Sequence, residues 1–287
     1  MGLKNLINKK CIFAIPARLE SSRLPKKILA DICGEPMIKR VLNNIDNIDF
    51  VKQNCSIYLC TDSYEVRDLV NKWGYEVIMT SKDCSSGTER IASVLDKLIS
   101  KAWKSNIELL DYEKREKILK DTFIFNIQAD QPLINKNLID DCIHEVSNNQ
   151  NEQIITPIYP LNKDEIHNPN IVKVLISNKN KAIYFSRSAV PHVRSESKDD
   201  WHKFFQYWGH VGIYCFRADF LKEWNLLPYS KLENVEKLEQ LRFVDAGYGI
   251  HTFKTNNATI SVDDSSQLNL VREVIKESNL LKKNPTK

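Results

Sequence analysis

Four cations crowd the stretch "IFAIPARLESSRLPKK" (residues 12–27), where Arg18, Arg23, Lys26 and Lys27 follow directly on an apolar run. Residues of this kind can hold a polyphosphate. Arginine grips phosphate oxygens through two N–H groups at once, lysine adds a compact charge, and backbone N–H groups at a helix start add further donors. A solvated basic loop is the other reading of the same residues. Two carboxylates also follow apolar runs: Asp130 in "NIQADQP" and Asp263 in "ISVDD". A magnesium ion takes one or two carboxylates and completes its shell with phosphate oxygens and water, which such a pair could supply. Asp263, followed by Asp264, could equally cap a helix. The chain carries neither GxxxxGK[ST] nor GxGxxG, so the usual signatures of P-loop hydrolysis and of dinucleotide redox chemistry are missing.

These residues must be positioned by the elements around them. "CIFAIP", "CSIYLCT", "YEVIMT" and "TFIFNIQ" are short and rich in β-branched or aromatic residues, as buried parallel strands are. Between them "PMIKRVLNNI", "SYEVRDLVNKWG" and "GTERIASVLDKLI" show helical spacing, the second with Asp62 or Ser63 as N-cap and Gly74 as stop. The order β-α-β-α-β-α-β predicts an open, Rossmann-like α/β fold with a mixed, mostly parallel sheet. Its ligand crevice lies beyond the carboxyl ends of the strands. The basic loop and "ADQP" both fall at such ends.

Beyond Gln150 the rhythm changes to "QIITPIYPL", "IVKVLISN", "KAIYFSR" and "HVGIYCFRADFL", which predicts hairpins and a mixed extension of the sheet. A helical "NVEKLEQLRFVDAG", two short strands ("GIHTFKT" and "ATISVD") and a final helix from Asp264 to about Ser278 follow. Residues 101–121, "KAWKSNIELLDYEKREKILKD", read as one extended surface helix, inserted between elements of the core.

Composition excludes some partners. With 287 residues, 42% hydrophobic and 27% charged, the chain can bury a full core, as one large domain or as a domain with an appended lobe. A formal charge of +4 is small for this length and gives nucleic-acid binding no support. The seven cysteines (Cys11, Cys33, Cys55, Cys60, Cys84, Cys142, Cys215) include no CxxC, so neither a zinc site nor a disulfide framework is expected, and a reduced, cytoplasmic setting fits. No apolar run approaches the ~20 residues that span a bilayer, which predicts a soluble, unexported protein without membrane insertion.

"IPARLESSRLPKKILADICGEPMI" resembles the signature of the 3-deoxy-manno-octulosonate cytidylyltransferases (CMP-Kdo synthetases). The resemblance continues through "TDSYEV", "MTSKDCSSGTERIA", "NIQADQP", "NPNIVKV", "AIYFSR", "HVGIYCFRADFL", "LEQLR" and "ISVDD". It implies the nucleotide-diphospho-sugar transferase type of fold and transfer of CMP from CTP to the anomeric hydroxyl of an acidic 3-deoxy sugar. Pyrophosphate leaves and Mg²⁺ is required. On this resemblance Ala17, Arg18 and Lys27 meet the triphosphate, with Arg23 as helper. Ser86, Gly87 and Thr88 surround the cytosine, with Arg90 close to the nucleotide. Gln128 and Asp130 lie at the junction with the sugar, and Asp130 and Asp263 bind the metal. Arg187, His210, Tyr214, Glu239 and Gln240 hold the sugar. Residues 1–150 then mainly bind CTP, 151–250 form a smaller lobe for sugar and for a homodimer, and 251–287 return as a strand and a C-terminal helix. The product is an activated sugar for lipopolysaccharide or capsule.

Some of these residues also admit plainer roles. His210 could be a core histidine, Arg187 the end of a strand, and Glu239 and Gln240, read as mid-helix neighbours, point about 100° apart. Cys84 falls beside the nucleotide loop. Where the family has Gly-Asp-Glu-Pro this chain has Ala129-Asp130-Gln131-Pro132, and "VDDSSQL" replaces Val-Asp-Thr-Pro-Glu-Asp-Leu. These departures leave open an amino-substituted octulosonate or a nonulosonate as the sugar, and a catalytically silent CTP-binding subunit.

Overall fold

The structure is a computed structural model that describes Leu6 and residues 8–21, 23–257 and 259–283. Two compact units make it up, each gathered from three stretches of chain. One comprises Cys11–Ser105, Asn126–Ile139 and Thr259–Lys287, and the other Met1–Lys10, Asn106–Phe125 and Asp140–Ala258.

In the first of these, the strand Lys10–Ala17 pairs in parallel with Cys55–Thr61, in register from Cys11↔Cys55 to Ala17↔Thr61, and Cys55–Thr61 pairs in parallel with Glu76–Met79. Seven consecutive residues from Cys11 to Ala17 are buried, as a strand covered on both faces requires. The helix Met37–Asp46 buries Met37, Ile38, Val41, Leu42 and Ile45 along one stripe. Ser63 caps Tyr64–Lys72 by accepting from the Val66 N–H at 3.3 Å, and Gly74 ends it at φ +88°. "GTERIASVLDKLI" forms two helices rather than one, Gly87–Ala92 and Leu95–Trp103. Ser93 stands at the break, its hydroxyl donating to the Arg90 carbonyl at 2.8 Å. The last helix, Ser265–Lys283, brings Leu268, Val271 and Ile275 against Ile32, Met37 and Val262. Of "ATISVD", whose first residue lies outside the described ones, Thr259 to Asp263 form no strand. Among the described residues before Asp263 the backbone is pinned by the Val262 N–H donating to the Asp130 carbonyl at 2.9 Å, one bond where a strand needs a ladder.

The other unit is built on Ile154–Pro160, which pairs antiparallel with Trp208–His210 and Tyr214–Arg217 and parallel with His251–Lys254. The hairpin Lys173–Ile176 and Ala182–Ser186 joins through Lys173↔Gly209. The hairpins expected beyond Gln150 are therefore present, although "HVGIYCF" splits into two strands around Gly212, at φ +82°. Two helical expectations need correction. Residues 101–121 are not one helix: Leu95–Trp103 ends on Lys104 at φ 51°, a 3₁₀ turn covers Ile107–Leu109, and Asp111 caps a new helix, Tyr112–Lys120. "NVEKLEQLRFVDAG" breaks at Lys237, φ 55°, between Lys231–Glu236 and Leu241–Asp245, so Glu239 and Gln240 lie in a link and not within a helix. Phe216, Phe220, Trp224 and Phe243 pack as an aromatic core with ring centroids 4.8–5.6 Å apart. No helix among the described residues is long and apolar enough to cross a membrane.

Candidate active site

The basic loop, the start of the helix Gly87–Ala92, the turn at Gln128–Asp130 and Asp263 line one cavity of about 240 Å³ within the first unit. Ala17, Arg18, Arg23, Lys27, Ser86, Gly87, Arg90, Gln128, Asp130 and Asp263 all reach it; Thr88 alone of the nucleotide and metal set does not. Residues separated by up to 246 positions are thus brought together. Cys84 is also on the wall, as its place beside the nucleotide loop suggested.

Two of the cations in this cavity, Lys27 and Arg23, are engaged by its carboxylates. Lys27 Nζ donates to Asp130 Oδ2 at 2.7 Å and to Asp263 Oδ1 at 3.2 Å, while Arg23 Nη2 reaches Asp263 Oδ1 at 3.0 Å. Lys26 turns away to Glu65 at 2.9 Å, and Arg18 is exposed on the cavity wall. The Asp130 and Asp263 pair suits a magnesium ion on chemical grounds. Two carboxylate oxygens already converge on one positive centre, and a hard cation needs no more protein ligands when phosphate supplies the rest. No cluster of three or more His, Cys, Asp or Glu side chains able to hold a metal occurs among the described residues.

The "SSGTER" segment folds as a helix start. Ser86 Oγ accepts from the Glu89 N–H at 3.1 Å, and the Ser85 N–H and hydroxyl both donate to the Glu89 carboxylate. A methyl on Gly87 would stand 3.0 Å from Pro16 Cγ and 3.5 Å from Gln128 Oε1, so glycine lets this helix close onto the first strand. Arg90 is buried, and its guanidinium donates to the Thr80 hydroxyl, to the Ser81 carbonyl at 3.2 Å and to Asp62 Oδ2 at 3.3 Å. Sequence reasoning missed Asn126, which is fully buried. Its amide donates to Thr88 Oγ1 at 3.1 Å and its oxygen accepts from Gln128 Nε2 at 3.3 Å, so Thr88 supports the wall from behind. The signal was available: a polar residue in an apolar strand, two positions before Gln128 and hence on the same face.

The sugar set lies in the other unit. His210 and Tyr214 are ring neighbours at 5.2 Å, and Phe185 meets His210 edge-on at 5.1 Å. Thr156 Oγ1 gives its single proton to the Ile213 carbonyl at 2.6 Å, so it must accept from His210 Nε2 at 2.8 Å. That network assigns the Nε2–H tautomer and leaves Nδ1 as an acceptor. Burial of the imidazole lowers its pKa to about 3, so His210 is neutral. Burial, with Glu239 beside it, raises the Tyr214 hydroxyl well above its usual range. Gln240 is 2% exposed, and its Nε2 has no hydrogen-bond partner among the described residues. Arg187 Nε donates to the Glu236 carbonyl at 2.9 Å and Nη1 to the Pro169 carbonyl at 3.2 Å. Glu236 and Thr156 were not legible as partners. Nothing in their spacing marks them.

Residues 12–250 match the cytidylyltransferase family. The chain belongs to that family. It is 36% identical over 261 residues to a 3-deoxy-manno-octulosonate cytidylyltransferase of Porphyromonas gingivalis, covering 90% of this chain and 93% of the relative. A protein of the same description from Chlorobaculum tepidum is 35% identical over 270 residues, 93% of this chain and 97% of the relative. Among solved structures, a CMP:2-keto-3-deoxy-manno-octonic acid synthetase complexed with CTP is 31% identical with a TM-score of 0.78, over 94% of this chain and 99% of that one. The open α/β fold expected from the alternating strands and helices, of the nucleotidyltransferase type that the resemblance implied, is therefore the fold this cytidylyltransferase has.

Proposed function

We propose that this cytidylyltransferase transfers CMP from CTP to a 3-deoxy-2-ulosonic acid, with 3-deoxy-manno-octulosonate as the leading substrate, to make an activated sugar for a surface glycan. The observation that carries this reading is the convergence of Lys27, Asp130 and Asp263 in a cavity walled by the nucleotide residues of the family signature.

Nucleotidyl transfer needs alignment and charge neutralisation and no protein nucleophile. Arg18, Arg23 and Lys27 bind triphosphate oxygens, which compensates the charge that builds on the departing pyrophosphate. Asp130 and Asp263 hold the magnesium ion, which when bound supplies the remaining neutralisation. The Gly87–Ala92 helix start, with Gln128, orients the base. In the other unit the Arg187 guanidinium takes the sugar carboxylate as a charge-assisted pair. The Nδ1 of His210 accepts from a sugar hydroxyl, and the Tyr214 hydroxyl and Gln240 amide supply donors. Gln131, the residue that departs from the family's acidic position, is buried and outside the cavity wall, which favours a catalytic subunit over a silent one. Ala129 does meet the cavity.

The reading includes a cytoplasmic homodimer, to be measured by sedimentation velocity. Its main test is pyrophosphate release with CTP, Mg²⁺ and a panel of acidic sugars. Release should depend on both an acidic 3-deoxy sugar and the metal. Release that persists undiminished in EDTA, or with no preference for an acidic sugar, overturns it.

A further inference from the structure

Lys173 is an unusual occupant of its position. The strand Lys173–Ile176 sits between two others in an apolar sheet, and Lys173 is 0% exposed. Its Nζ donates to two backbone carbonyls, Asn168 at 2.8 Å and Ile171 at 2.6 Å. An apolar side chain of similar volume generally serves stability as well as a buried charge or better, so packing alone does not account for an ammonium here.

Its place in the sheet does account for it. Lys173 is in register with Ser186 on one side and Gly209 on the other, and the next residue along each neighbouring strand is Arg187 and His210. The His210 N–H donates to the Val172 carbonyl at 2.9 Å. Arg187 Nη1 donates to the Pro169 carbonyl, so two cations fasten successive carbonyls of one turn, Asn168, Pro169 and Ile171. The Glu236 carboxylate accepts from Ser186 Oγ at 2.8 Å and from the Arg187 N–H at 3.0 Å, and Glu239 stands beside Tyr214. Burial, and after it the neighbouring Arg187, lowers the Lys173 pKa to about 8.

We propose that Lys173 is a positioning residue for the acidic sugar, holding the Asn168–Ile171 turn against which Arg187 is set and adding a second positive charge beside Arg187 for a sugar carboxylate. The inference rests on the sugar reading above. It is tested in the full-length protein with Lys173→Met and Lys173→Arg, following KM for the sugar, KM for CTP, kcat and thermal melting. Lys173→Met should raise the sugar KM about tenfold and leave the CTP KM within about twofold; Lys173→Arg should recover part of the loss. A sugar KM unchanged in Lys173→Met, or a CTP KM that rises in step with it, overturns the inference while the reading stands. If Lys173→Met does not fold, Lys173→Gln, which keeps a donor for the turn and drops the charge, decides by the same comparison. A wild-type protein that turns over no acidic sugar removes the reading and the inference together.

Discussion

The ammonium of Lys27 stands between two carboxylates, 2.7 Å from Asp130 Oδ2 and 3.2 Å from Asp263 Oδ1. While it holds both, it cannot also hold phosphate with its full complement of donors, and the carboxylates cannot give their full charge to a metal. A metal held by these aspartates would therefore compete with the lysine for the same oxygens. With Mn²⁺ alone as the probe, Lys27→Met should bind the ion about tenfold more tightly by EPR titration, while CTP binding weakens. Equal Mn²⁺ affinity in the two proteins removes the competition.

The two aspartates should act as one unit. Either Asn substitution should lower kcat by on the order of 10², since each removes charge from the same centre. The double substitution should cost far less than the product of the single losses. The measurement is kcat/KM against Mg²⁺ concentration, with melting as the folding control. Asp263→Asn with wild-type activity at limiting Mg²⁺ would leave Asp263 with only its contacts to Arg23 and Lys27.

Arg90 tests the cavity wall. Its side chain is 4% exposed and Asp62 is its carboxylate partner. Asp62→Ala strands a buried guanidinium and should destabilise the protein by about 3 kcal/mol, read from urea unfolding. Asp62→Asn, which keeps an acceptor, should cost less. Equal stability of Asp62→Ala and wild type would mean that the Thr80 and Ser81 oxygens suffice.

His210 gives a pH dependence with a definite sign. Its folded pKa, about 3, lies below the usual 6.5, so between those values the unfolded chain binds a proton that the folded one does not. The contribution to stability is complete above pH 6.5 and is lost as pH falls toward 3. The fall in melting temperature between pH 7 and pH 5 should therefore shrink in His210→Gln. A fall of the same size in both proteins would mean that other groups set it.

The parallel strands and their helices were legible because hydrophobic period and caps agree there: "CSIYLCT" is the strand Cys55–Thr61, and Ser63 and Gly74 bound the next helix. Breaks were not legible. Lys104 and Lys237 adopt the left-handed conformation without being glycine or asparagine, and periodicity runs straight through them. The cavity residues were readable because the motif blocks named them one by one, and the cavity gathers them. Their bonding was not. That Lys27 would lie on Asp130 and Asp263, or that Asn126 would reach Thr88, depends on approaches across more than 30 residues that no local pattern encodes.

The first unit draws on three stretches of chain, the last of them residues 259–287, and its apolar cluster joins Ile32 and Met37 to Val262, Leu268 and Val271. During synthesis the chain emerges from its N-terminus, so the early strands and the basic loop wait for residues made near the end before this cluster can close. Contacts of such sequence separation are slow to form and leave apolar surface open in the meantime. Asp263 arrives in that same final stretch. The second carboxylate of the cavity and the helix that seals the cluster behind it are therefore delivered together, and a nascent chain halted before them holds the basic loop but no centre at which to use it.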